Sequence, residues 1–144
     1  MISHYRTEIR RAPIDRACAL IVLAALGASG CTKANSARGV VDRFITVHYM
    51  AIDLKSAEPL CTGLALDKIH EEMQLTRGQT IDESTRKPII HYKLKAERDA
   101  PDHVQYVFRA TIDVPEGGSF EKNWMITARK ESGIWKISNF SEYD

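Results

Sequence analysis

Residues 104–114 read VQYVFRATIDV, in which Val104, Tyr106, Phe108, Ala110, Ile112 and Val114 are apolar at every second position. Gln105, Arg109, Thr111 and Asp113 stand between them, with His103 just before. Successive side chains of a strand point to opposite faces, so this period of two predicts a long strand with one dry face and one wet face. The same alternation extends outward. Tyr92, Leu94 and Ala96 predict a shorter strand upstream. Downstream, the turn Pro115-Glu116-Gly117-Gly118 leads into residues 120–130, where Trp124, Ile126 and Ala128 stay in phase. Glu131-Ser132-Gly133 then leads into a last strand over 134–140. Short Gly-bearing turns join antiparallel neighbours, so a four-stranded meander is expected.

Upstream of residue 79 the period changes to that of a helix. Val40, Val41, Phe44, Ile45, His48, Tyr49 and Ile52 form an apolar stripe, and Ser36 is a suitable N-cap before it. Lys55-Ser56 and Glu58-Pro59 are expected to break that helix, with Pro59 in the first turn of a new one. Leu60, Leu64, Ile69 and Met73 carry it on to about Leu75, with Gly63 as a kink and Gly78 as the stop. Residues 79–88 lose the pattern and read as a loop. The order of two or three helices followed by four strands is α+β, with the helices on one face of an antiparallel sheet.

The chain has 144 residues, enough for one ordinary domain, with 20 Lys plus Arg against 19 Asp plus Glu. A net charge of +1 without a basic stripe argues against nucleic acid as a partner. The sequence contains no Gly-rich phosphate loop and no G-x-S-x-G elbow. Four histidines, His48, His70, His91 and His103, lie too far apart in sequence for a local zinc motif, so no metal or other cofactor is expected. His70-Glu71-Glu72 reads as a solvated helix face with Lys68 and Glu72 paired one turn apart, and His48 as a core histidine.

The start of the chain has a different character. Arg6, Arg10, Arg11 and Arg16 outnumber Glu8 and Asp15, the run 17–26 (ACALIVLAAL) is wholly apolar, and Gly27-Ala28-Ser29-Gly30 precede Cys31. A basic head, a short apolar centre and small residues make a secretory signal. The run is too short to span a bilayer, which takes about 20 residues. Leu26-Gly27-Ala28-Ser29-Gly30-Cys31 resembles the lipobox of bacterial lipoproteins, with Ala28 where that family favours Leu. The resemblance implies cleavage before Cys31, lipid attachment at Cys31, and anchoring in the membrane by more than one acyl chain. Residues 1–30 are then the signal, 31–38 a tether and 39–144 the domain. Thr32 stands where an inner-membrane retention signal has Asp, which implies the outer membrane, facing the periplasm. Two alternatives are an ordinary signal site at Ala28-Ser29-Gly30, giving a soluble secreted or periplasmic protein, and a core helix over Ala17–Leu26. Cys18 would leave with the signal, so Cys61 would be the one free thiol, expected as a small buried hydrophobe.

Helices first, a long antiparallel sheet next, and a last strand written Gly133-Ile134-Trp135-Lys136-Ile137 resemble the nuclear-transport-factor-2-like superfamily, also called cystatin-like or ketosteroid-isomerase-like, over about residues 38–142. The resemblance implies a curved, cone-shaped sheet whose mouth takes small molecules, substrates or partners. Its isomerase-like members use a carboxylate base with an oxyanion hole built from Tyr and a protonated acid. Tyr49 and Asp53, one helical turn apart, and Tyr106 on the inward strand face are the candidate pocket residues. Read from the residues alone, Tyr49 is rather a core aromatic and Asp53 the polar end of the first helix, where it caps or salt-bridges. The expected function is a membrane-anchored envelope protein that binds a protein partner or small ligand. The alternative is a cone-pocket isomerase, dehydratase or hydrolase of a small hydrophobic substrate.

Overall fold

A computed structural model describes residues 35–79 and 86–144. The signal and lipobox readings, Cys31 and the first half of the tether, residues 31–34, lie outside the described residues; of the rest, Ser36 caps the first helix and Ala37 and Arg38 belong to it. Within them, α1 (Ala37–Phe44) runs on as a π-helical segment (Ile45–Met50), followed by α2 (Leu54–Ala57), a single 3-10 turn (Glu58–Leu60) and α3 (Gly63–Leu75). Four strands follow: β1 (Ile89–Asp99), β2 (His103–Val114), β3 (Gly118–Glu131) and β4 (Ile134–Tyr143). They pair in the order β1-β2-β3-β4, every pair antiparallel, which is the expected meander.

β2 ends at Val114 and β4 begins at Ile134 as expected, whereas β1, β3 and the end of β4 run further, β1 most of all, because ladder hydrogen bonds extend past the last alternating apolar residue. In β2 the alternation holds: Val104, Tyr106, Phe108 and Ala110 are buried, and Arg109 between them is exposed. Phe108 pairs across the ladder with Trp124, and Ile126 with Tyr106 on one side and Phe140 on the other, so one face carries a continuous apolar layer. Bulges interrupt the register between Leu94 and Ala96 and between Thr127 and Ala128, and an extra residue in one strand bends the sheet. The β3–β4 turn is closed by Ser132 (φ 49°) and Gly133 (φ 83°), the two positive φ values of a tight hairpin turn.

Helix α1 starts where Ser36 Oγ accepts a hydrogen bond from Gly39 N–H at 3.0 Å. Its buried face, Ala37, Val40, Val41 and Phe44, continues into Ile45 and His48 and lies on the curved sheet. Ala65 and Ile69 of α3 complete the core, which centres on Trp124, Phe44, Phe108, Ile126 and Ile137.

The helical half departs from expectation in three places. The first helix ends not at Lys55-Ser56 but at residues 51–53, and Lys55 and Ser56 lie inside α2. The physical cause is the wide turn: Ala51 N–H reaches back to Thr46 O and Asp53 N–H to Val47 O, and Ile52 then takes φ 56°. Leu60 closes the 3-10 turn, and Cys61 bridges to Ile137 of β4, so Gly63 opens α3 where a kink was expected. The expected Lys68–Glu72 pair does not form. Lys68 Nζ instead donates to Asn139 Oδ1 and Phe140 O on β4, leaving Glu72 for another partner.

Candidate functional site

The wide π-helical turn places His48 and Tyr49 side by side above the sheet. Such π segments recur at functional sites. His48 stacks on Phe44 with ring centroids 4.9 Å apart, and Tyr49 stacks on Trp124 at 4.1 Å and 9°. Two residues past the segment stands Ile52, a β-branched residue in the left-handed region, a conformation that costs of order 1–3 kcal/mol.

Beside this aromatic cluster lies a cavity of about 360 Å³. Its walls are His48, Tyr49 and Ile52 of the wide turn, Leu54 of α2, Glu72, Leu75 and Thr76 at the end of α3, and Glu142 near the end of β4. His48 Nε2 lies 2.7 Å from Glu72 Oε2. If the ring is neutral, its proton sits on Nε2 and donates to the carboxylate, which leaves Nδ1 as an acceptor. Nδ1 has no partner among the described residues, and neither do the buried Tyr49 hydroxyl and Trp124 Nε1. Three uncompensated polar atoms thus share one aromatic cluster, each at a desolvation cost of about 1–3 kcal/mol.

Electrostatics follow from that burial. Desolvation, reinforced by the Glu142 and Glu72 carboxylates, pushes the Tyr49 hydroxyl well above the usual tyrosine range, so it stays protonated at physiological pH. Glu142 sits opposite Trp124 in the ladder, and burial raises its carboxyl above the ordinary range against the opposing pull of His48 and Lys122. The cavity wall therefore combines two carboxylates with apolar side chains and the Tyr49 ring, whose hydroxyl is buried behind it. Such a set suits hydrogen bonding to a small, partly apolar molecule.

Of the three candidate pocket residues, only Tyr49 lines this cavity. Asp53 is exposed and caps α2, its carboxylate accepting from Ser56 N–H at 3.0 Å and Ser56 Oγ at 2.6 Å. Those hydrogen bonds hold its pKa below the ordinary value, so it is not the desolvated base that isomerase chemistry requires. Tyr106 is buried on β2, stacked near Phe108 under the Arg38 guanidinium, and burial pushes its hydroxyl up to about 12. The grouping Tyr49, Asp53 and Tyr106 does not assemble, because residue 53 is already past the helix that would have aligned it with Tyr49.

The four histidines go to separate places. His48 is buried as expected but only half satisfied, and His70 pairs with Glu58 at 2.8 Å. His103 pairs with Asp102 at 2.7 Å, while His91 stands in a shallow surface cleft with Lys93, Lys95 and Arg109. Among the described residues no group of three potential ligands is placed to hold a metal. Cys61 is buried, and desolvation pushes its thiol up to about 12. Glu72, Trp124 and Glu142 escaped the sequence reading as site residues: Glu72 looked like part of a solvated face, and nothing local connects it to His48 or to β4.

The architecture is that of the nuclear-transport-factor-2-like fold, and structural similarity agrees. A protein described as a calcium/calmodulin-dependent protein kinase type II association domain, from Thiobacillus denitrificans, matches with TM-score 0.55 at 11% identity, covering 72% of this chain and 90% of that one. An NTF-2-like protein of unknown function from Shewanella oneidensis matches with TM-score 0.52 at 9% identity, covering 73% and 97%. A SEC-C motif-containing protein from Rhodopseudomonas palustris matches with TM-score 0.52 at 14% identity, covering 89% and 91%. At such identities the likeness speaks for the fold alone. No protein-family model and no curated protein matches the sequence.

Proposed function

We propose that this chain is a lipid-tethered binding module of the cell envelope, anchored at Cys31, that holds a small ligand in the cavity beside His48, Tyr49, Glu72 and Glu142. The observation that carries the binding reading is the open cavity walled by the His48–Glu72 pair, Tyr49 and Glu142, with the unpartnered His48 Nδ1, Tyr49 Oη and Trp124 Nε1 buried behind that wall. Buried polar atoms in native proteins nearly always have partners, and an orphaned group points to a missing one. The anchoring reading rests on the lipobox-like stretch ending at Cys31.

The test uses the full chain purified from the envelope of a Gram-negative host. Denaturing extraction followed by small-molecule mass spectrometry should recover a stoichiometric compound from the wild type, and markedly less from Tyr49→Phe and Glu72→Gln. A bare wild-type chain whose tryptophan fluorescence does not respond to envelope small-molecule extracts would overturn the reading. Anchoring has its own readout: palmitate labelling and membrane fractionation should both vanish in Cys31→Ser.

A further inference from the structure

We infer that the β3–β4 hairpin tip, together with the start of α1, is a docking face for an anionic lipid bilayer and orients the domain with its cavity away from the membrane; this rests on the lipid-anchor reading. The first observation is where the tether ends. A cleft of about 270 Å³ brings Asn35, the first described residue, together with Arg43 and Leu60 of the helical layer and Ile134, Trp135 and Lys136 of β4. From Cys31 to Asn35 the chain makes four steps of at most about 3.6 Å, a reach of roughly 14 Å. A lipid on Cys31 therefore keeps this cleft within one short span of the headgroups.

The second observation is what the cleft presents. Ile134 is 55% exposed at the tip of the hairpin, with Trp135 half-buried next to it. Lys130 lies over the Trp135 ring at 5.9 Å, and Arg43 is exposed with no acidic partner among the described residues. Lys136 Nζ donates to Pro59 O at the cleft wall. The hairpin's acid, Glu131, accepts from Thr62 Oγ1, and no acidic side chain lines the cleft. An indole and an aliphatic tip ringed by Lys and Arg have the chemistry of the bilayer interface: the rings sit at headgroup level while the cations meet anionic lipid.

The third observation is polarity along the strand. Ile134 begins β4 and Glu142 of the cavity lies near its end. Eight steps along β4 at about 3.3 Å each put the two at most roughly 26 Å apart. The other exposed large apolar side chains of the sheet, Ile89, Val114, Phe120 and Tyr143, lie away from the hairpin, the first three where β2 turns into β3 and Tyr143 at the end of β4. They serve as an internal control.

The full acylated chain is reconstituted into phosphatidylethanolamine–phosphatidylglycerol vesicles, some carrying lipid brominated near the headgroup. Bromine quenches a nearby indole, and the chain has two, Trp135 and the fully buried Trp124. Wild-type protein should be quenched, and Trp135→Phe should lose most of that quenching. Phe120→Ser should leave it unchanged, and the double variant Lys130→Glu with Arg43→Glu should reduce it. Equal, weak quenching in wild type and Trp135→Phe, with both still sedimenting with the vesicles, would overturn the docking face and leave the anchor standing. Failure to sediment, with no palmitate label, would overturn anchor and docking together. Quenching that survives Trp135→Phe would place Trp124, not the hairpin, against lipid and also sink the proposal.

Discussion

Tyr49 and Asp53 were one pair in the linear pattern and became two different things in the fold. The Tyr49 hydroxyl is buried without a partner, a net cost in the free protein. Tyr49→Phe removes that atom and keeps the stack on Trp124, so thermal denaturation should show equal or higher stability, by up to about 1 kcal/mol, together with weaker ligand retention. A clear loss of stability would mean that the hydroxyl is satisfied. Asp53 behaves in the opposite way. Its carboxylate caps α2 through Ser56, and Asp53→Ala should cost about 0.5–1 kcal/mol near pH 7, the low end of the range because α2 has only 4 residues. The Asp53 pKa is lowered in the folded state, so the stabilisation is present above the unfolded value, near 3.9. It is lost as pH falls through the lower folded value. Urea melts of wild type and variant should therefore converge as the pH falls well below the ordinary carboxylate value; a gap that persists in acid would show that the cap does not act through its charge.

The strand pattern of residues 104–114 makes the sharpest claim about an element. Phe108 is fully buried against Trp124 across the ladder, and Arg109, the next residue, is exposed. Phe108→Ala should destabilise by about 3–5 kcal/mol, and Arg109→Ala by about 0.5 kcal/mol or less. Comparable losses in denaturant melts would contradict a one-sided sheet. The β3–β4 turn can be tested by Gly133→Ala. No atom crowds the added methyl, but φ 83° disfavours any Cβ, so a loss of about 1–2 kcal/mol is expected. The strands were legible because a half-buried strand writes its period directly into the chain. The helix boundaries were not, since the π-helical turn depends on which carbonyl the Ala51 and Asp53 N–H groups choose, and the apolar stripe is the same for either choice.

At the scale of the whole domain, Asn35 and the cavity sit at opposite ends of β4, which would give a chain anchored at Cys31 a direction. In vesicle-bound protein, a thiol introduced by Glu142→Cys should react quickly with a water-soluble maleimide, and one introduced by Ile134→Cys should be protected. Equal reactivity would mean that the hairpin does not face lipid. Cys61 gives little background, being buried with a thiol pushed up to about 12.

The amino-acid sequence alone determined the class: helices followed by an antiparallel meander, the inward face of β2, and the signal-like start that leads to Cys31. These are local properties, carried by periodicity, charge and small residues over a dozen positions or fewer. The candidate site was decided by tertiary structure. His48 meets Glu72 across 24 positions of chain, and Trp124 stacks on Tyr49 and pairs with Glu142 only because the meander and the wide turn bring them together. Lys68 chose β4 over Glu72, which left that carboxylate to the buried histidine. Choices of this kind depend on competing partners distant in sequence, and no local pattern encodes which of them wins.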